Sequence, residues 1–187
     1  MKKASVLSVL FAAAAIAAAA TRPVELENCR LQSSVLGHDV AYSVVLPADA
    51  DKGMHYPVLY LLHGVGGDHS SWLEYADVAG MMQRGEMPEM IVVMPDGYLS
   101  YYSDAADGSL PYETFFTTEF MQAIDSIHPT LPGRENRVIS GFSMGGFGAM
   151  TLGLRNPDKF GTVISLSPSM RTDSCLLYTS PSPRDRG

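Results

Sequence analysis

The sequence predicts an α/β fold, a mostly parallel sheet flanked by helices with an antiparallel N-terminal edge. Three observations carry the prediction. Residues 58–62, 90–94 and 138–141 are short apolar runs, as in strands covered on both faces, and 160–166 reads as a fourth strand. Segments with helical spacing lie between several of these runs. Near the start, residues 25–34 roughly alternate and 40–46 are rich in Val and Tyr, with Gly37 between them, which reads as an antiparallel pair.

Each element has its own warrant. Residues 47–55 form a turn-rich connection carrying Asp, Ala and Gly, and 58–62 follows as the first buried strand. Residues 71–84 read as a helix with Ser70 or Ser71 available as N-cap. The strand at 90–94 ends in Pro95-Asp96-Gly97, and a loop heavy in Tyr, Ser, Asp and Gly covers 98–110. Residues 112–127 are amphipathic, with Phe116, Phe120, Ile124 and Ile127 on one face as a core-packing stripe. A turn at 129–136 leads to the strand at 138–141, a helix over 145–155 and a last strand over 160–166. No internal repeat or linker divides the chain.

The 187 residues suffice for one domain with a sizeable core. Hydrophobic residues make up 46% and charged residues 18%, ordinary values for a globular protein. The net charge of -7, without a Lys/Arg cluster, argues against nucleic-acid binding, which needs a basic face.

Both ends are set apart. Lys2 and Lys3 precede an apolar run over 6–20 that closes on Ala18-Ala19-Ala20. The run is about fifteen residues where a spanning helix needs about 20, so it reads as a secretory signal peptide cleaved near Ala20. The mature protein is expected to be secreted or periplasmic, with no membrane attachment. Residues 175–185 read C-L-L-Y-T-S-P-S-P-R-D, have no periodicity and resemble a translated sequencing-adapter end. Residues 175–187 are therefore read as an artefact tail, 1–20 as the signal, and 21–174 as a partial domain. With Cys175 in that tail, Cys29 stands alone and no disulfide framework is implied.

The strongest chemical signal is Gly141-Phe142-Ser143-Met144-Gly145, a G-x-S-x-G between a strand and a helix. The turn of a nucleophile elbow presses the residues two before and two after the Ser together, and Gly141 and Gly145 fit there. Gly146, Gly148 and Ala149 let the following helix approach the sheet and aim its positive end at Ser143. His63-Gly64-Val65-Gly66-Gly67, directly after the strand at 58–62, can turn N–H groups toward a carbonyl oxygen. With Met144 N–H as one oxyanion donor, Val65 N–H is the second. His63 is read as structural, since it lies upstream of the Ser. A phosphate-cradling loop is disfavoured because no Gly-Lys-Ser/Thr follows. His55, His63 and His69 lack metal-ligand spacing, so no metal site is expected and they are read as surface or loop histidines. Tyr98, Tyr101 and Tyr102 follow a strand's C-terminal end, where they either contact substrate or pack under the loop.

Y-L-L-H-G-V-G-G-D, V-V-M-P-D-G, V-I-S-G-F-S-M-G-G-F-G-A-M and the later L-S-P resemble, in this order, one esterase family of α/β-hydrolases. That family includes esterase D or S-formylglutathione hydrolase, feruloyl and acetyl-xylan esterases, and the antigen 85 mycolyltransferases. The resemblance covers about residues 35–169. It implies an α/β-hydrolase fold, a small-molecule or polysaccharide-linked carboxylic-ester substrate, no cofactor, and Ser143 as nucleophile. With its signal peptide and H-G-V-G-G, the chain looks closer to the exported feruloyl-type esterases than to the cytosolic formylglutathione hydrolases. Acyl transfer to a sugar and a non-catalytic binding role are the alternatives. The family takes its acid and His from later loops, and no His follows Ser143, so the chain is expected to lack both and to be inactive by itself.

Overall fold

A computed structural model describes residues 23–170, and the signal and tail readings lie outside them. Rough alternation gives β1 (Val24–Gln32) and a Val- and Tyr-rich run gives β2 (Asp39–Leu46), paired antiparallel with an irregularity between Leu26 and Cys29. Apolar runs give β3 (Val58–Leu62), β4 (Ile91–Pro95), β5 (Arg137–Phe142) and β6 (Thr162–Leu166). The sheet order is β1-β2-β4-β3-β5-β6. β2 meets β4 antiparallel, while β4, β3, β5 and β6 run parallel, so the sheet is mostly parallel with an antiparallel N-terminal edge. β3 has β4 on one side and β5 on the other. The strand order therefore reverses there, and the crevice beyond its C-terminal end is where open α/β sheets bind ligands.

Helices cover both faces. On one, Val45, Leu61, Val92 and Met94 pack with Val78 and Met82 of α2 (Val78–Gln83). On the other, Val44, Tyr60 and Ile139 pack with the aromatic segment over 112–127 and with Leu152 of α5 (Met144–Arg155). Tyr60, Phe116 and Phe120 make aromatic contacts in this core, the Tyr60–Phe116 pair edge-on at 5.3 Å. No helix among the described residues is long and apolar enough to cross a membrane.

Two helices differ from their sequence reading. The segment 71–84 divides into α1 (Ser71–Tyr75) and α2, because Ala76 is extended and Asp77 caps α2 by accepting from Gly80 N–H at 2.9 Å. Ser70 takes the N-cap position of α1 without a side-chain capping bond. The segment 112–127 is α3 (Tyr112–Phe115), a π-helical turn (Phe116–Phe120) and α4 (Met121–Ile127). The wide turn retards the rotation of the side chains, so Met121 joins Phe116, Phe120 and Ile124 in the core while Ile127 is 56% exposed.

Candidate active site

The register of β3 against β5 sets Leu62 opposite Gly141, so the loops leaving these strands start side by side at the C-terminal edge. The chain reverses at Ser143, which has φ 57° and ψ -116° and is the N-cap of α5. A non-glycine residue so placed is strained, and the surroundings must hold it there. Ser143 N–H donates to Leu166 C=O at 3.0 Å, and Ser143 C=O accepts from Phe147 N–H at 3.0 Å and Ser169 N–H at 2.9 Å. A Cβ on Gly141 would collide with the Gly145 carbonyl, and one on Gly145 with the Leu62 carbonyl. Glycine at both positions is thus a packing requirement, and Ser143 remains partly exposed at the crevice.

Met144 opens α5, so its N–H belongs to the positive helix end beside Ser143. Val65 is exposed at the tip of the loop after β3, and Gly66 beside it has φ +79°. Among the described residues neither Val65 nor Met144 N–H donates to a protein acceptor. Gly67 N–H closes the loop onto Gly64 C=O at 3.2 Å, and Gly64 rests against the Phe142 ring. Trp72 secures the same strand end, its Nε1–H donating to Leu62 C=O at 3.0 Å.

His63 and His69 differ from the expectation of surface or loop histidines. The His63 ring is 1% exposed, with Nδ1 at 2.7 Å from Gly64 C=O and Nε2 accepting from Gly97 N–H at 2.8 Å. A carbonyl only accepts and an amide N–H only donates, so the ring is neutral with its proton on Nδ1. It bridges the loop after β3 to the turn after β4. His69 is buried with Nδ1 at 2.9 Å from Ser43 Oγ on β2. Both rings turn inward because each finds polar partners that an apolar core would lack. His55 is exposed, as expected.

The three tyrosines separate. Tyr102 is fully buried, donates to His63 C=O at 3.1 Å, and lies against Gly97 and Gly148. Burial holds its hydroxyl well above the usual phenol range. It therefore packs rather than facing the crevice. Tyr98 is half-buried, edge-on to His38 at 5.6 Å and Tyr112 at 6.4 Å. Tyr101 is half-buried, edge-on to Phe147 on the first turns of α5 at 6.0 Å.

Sequence reading did not anticipate the Tyr102 hydroxyl under His63, the Trp72 bond or the Asp96 cap. Asp96 Oδ1 accepts from Tyr98 N–H at 2.9 Å and lies 3.6 Å from His63 Nε2. A Pro-Asp-Gly at a strand end signals such a turn, but the long-range contacts leave no local trace. Among the described residues no group of three or more His, Cys, Asp or Glu could hold a metal ion.

The fold and this arrangement match known proteins. The Esterase family model, described as "Putative esterase", matches residues 33–185. The chain belongs to the Esterase family. An esterase of Mycobacterium tuberculosis is 34% identical over 155 residues, 79% of this chain and 34% of that protein. The acetyl esterase of Caldicellulosiruptor saccharolyticus is 31% identical over 146 residues, 74% of this chain and 54% of that protein. A solved ferulic acid esterase superposes with a TM-score of 0.73 at 37% identity, covering 79% of this chain and 60% of its own. This Esterase-family chain thus spans about a third of the length of the first of these proteins and 60% of the last. Its relatives are α/β-hydrolase esterases, and the sheet has their architecture.

Proposed function

We propose that the protein is an exported carboxylic-ester hydrolase that works through an acyl-enzyme on Ser143, with a feruloyl- or acetyl-type ester as substrate. The observation carrying this reading is the backbone of Ser143, φ 57° at the junction of β5 and α5, enforced by Gly141 and Gly145. The relatives named ferulic acid esterase and acetyl esterase support the substrate class.

In this reading a histidine takes the proton from Ser143 Oγ as the oxygen bonds to the ester carbonyl carbon. The carbonyl π electrons move to oxygen, which Val65 and Met144 N–H stabilise. The intermediate collapses by breaking the bond to the alcohol, which leaves with the proton. Water, deprotonated by the same histidine, then cleaves the acyl-Ser143 ester to release the acid.

All five histidines precede Ser143, and His63 is held by Gly64 and Gly97. The resembled family takes its histidine from a loop after the serine, so this reading assigns the general base to a residue outside these 187. By themselves they should hydrolyse p-nitrophenyl acetate at a rate indistinguishable from Ser143→Ala, since losing the triad base elsewhere costs about 10⁴–10⁶ in rate. The natural gene product, read through position 174, should bind a fluorophosphonate probe at Ser143 and lose labelling and turnover in Ser143→Ala. Robust turnover by the 187-residue chain, or an unlabelled Ser143 in the natural product, contradicts the proposal. Export is tested separately: the secreted form should begin near Thr21.

A further inference from the structure

The two nitrogens of the buried His63 ring hold different parts of the chain. Nε2 accepts from Gly97 N–H at 2.8 Å, which leaves the ring proton on Nδ1. Asp96 Oδ1 lies 3.6 Å from Nε2, beyond hydrogen-bond reach, and already accepts from Tyr98 N–H. It therefore does not draw the proton across the ring. The Nδ1–H is left to donate to Gly64 C=O at 2.7 Å.

Gly64 C=O belongs to the same peptide unit as Val65 N–H. In a trans peptide the two groups point in opposite directions within one plane, so fixing the carbonyl aims the amide. His63 Nδ1–H draws the carbonyl toward the buried ring, and Gly67 N–H donates to it from the loop at 3.2 Å. Val65 N–H is thereby turned away from the ring. Packing of the Val65 side chain cannot fix the amide instead, because that side chain is exposed. The preceding peptide unit is held as well. Tyr102 donates its hydroxyl to His63 C=O at 3.1 Å, and a Cβ on Gly145 would strike the same carbonyl. Gly64 lies against the ring of Phe142, the residue before Ser143. The stretch that carries the amide is thus braced on both sides of the nucleophile turn.

We infer that His63 is a positioning residue for the oxyanion: its Nδ1–H, set by Gly97, aims Val65 N–H through the Gly64 carbonyl. His63 itself neither touches the substrate nor exchanges a proton with it. What the aimed amide binds rests on the esterase reading, whereas the aiming needs no chemistry at Ser143.

The test uses the natural gene product, read through position 174 and isotope-labelled for NMR. In the parent at neutral pH, the imidazole nitrogen shifts should place the proton on Nδ1, and Val65 N–H should have an order parameter of about 0.85. His63→Leu removes the donor and should bring that order parameter below about 0.6. In the same variant kcat for p-nitrophenyl acetate should fall about 10²–10³-fold with KM little changed, as for one lost oxyanion donor. His63→Asn sets an amide N–H near the place of Nδ1 but leaves Gly97 N–H without its acceptor. It should restore order at Val65 and most of kcat while remaining less stable than the parent. A purely structural histidine would instead leave both folded variants turning over like the parent. A ring proton on Nε2 in the parent overturns the inference even if no variant folds. So does a rigid Val65 amide in His63→Leu, or a His63→Asn that recovers neither order nor turnover. If the fluorophosphonate probe leaves Ser143 unlabelled while Val65 loosens in His63→Leu and tightens in His63→Asn, the esterase reading falls and the positioning role stands. Labelled, active enzyme with the parent kcat in His63→Leu removes the positioning role alone.

Discussion

Gly145 has little freedom, because a methyl group there meets the carbonyls of both Leu62 and His63. Those carbonyls end β3, and neither can retreat without disturbing the sheet. Gly145→Ala should therefore destabilise the protein by about 1–3 kcal/mol, the usual range for overpacking, and displace Ser143. Urea unfolding of parent and variant measures the first effect, and a variant as stable as the parent would refute the account. Ser143, Gly141 and Gly145 were legible in the sequence because the turn admits so few residue types that the pattern and the geometry are nearly the same statement. His63 was only half legible. Its place upstream of the serine indicated a structural role, but its burial depends on Gly97, thirty-four positions away, and on Tyr102. The Tyr101 and Tyr102 rings likewise diverge, one half-buried against Phe147 and the other in the core, through contacts with α5 and the loop after β3 that no local pattern encodes.

The elements show where periodicity stops being informative. Strands were legible because continuous apolar runs are uncommon outside buried sheets, and their observed limits differ from the expected ones by a residue or two at most ends. The π-helical turn was not, since an i→i+5 bond changes backbone register without changing composition. That turn carries Glu119, whose carboxylate receives Ser33 Oγ–H, Ser34 Oγ–H, and the N–H groups of Ser34 and Val35 in the β1–β2 turn. Partial burial alone would raise its pKa, but these bonds together outweigh that and hold it below the ordinary glutamate value. The folded state therefore favours the carboxylate. The contribution is complete above about pH 4.3 and is lost as pH falls through the depressed folded value. Glu119→Gln should lower stability at pH 7 by about 1 kcal/mol and flatten the acid side of the stability profile. Thermal unfolding between pH 3 and pH 7 checks this, and an unchanged acid slope would remove Glu119 as its source.

At the scale of the molecule, the antiparallel edge and parallel body were legible, whereas the order β1-β2-β4-β3-β5-β6 was not. Order follows from pairing across long separations, and single-chain periodicity is silent on which strand takes which neighbour. β6 has a partner on one side only among the described residues, and Val163, Ile164 and Leu166 are 39%, 44% and 45% exposed. An apolar edge strand invites pairing with another chain. The 187-residue chain should self-associate with rising concentration in sedimentation velocity, and Ile164→Lys should reduce this; a parent that stays monomeric at high concentration would refute it. β6 matters in another way. The backbone of Ser143 is clasped by Leu166 C=O and Ser169 N–H, both of which leave the ribosome more than twenty residues after the serine itself. Until they emerge, only the Phe147 N–H bond and the close approach of Gly141 and Gly145 favour positive φ at Ser143. During synthesis the strained turn is therefore completed only when the last described strand closes over it.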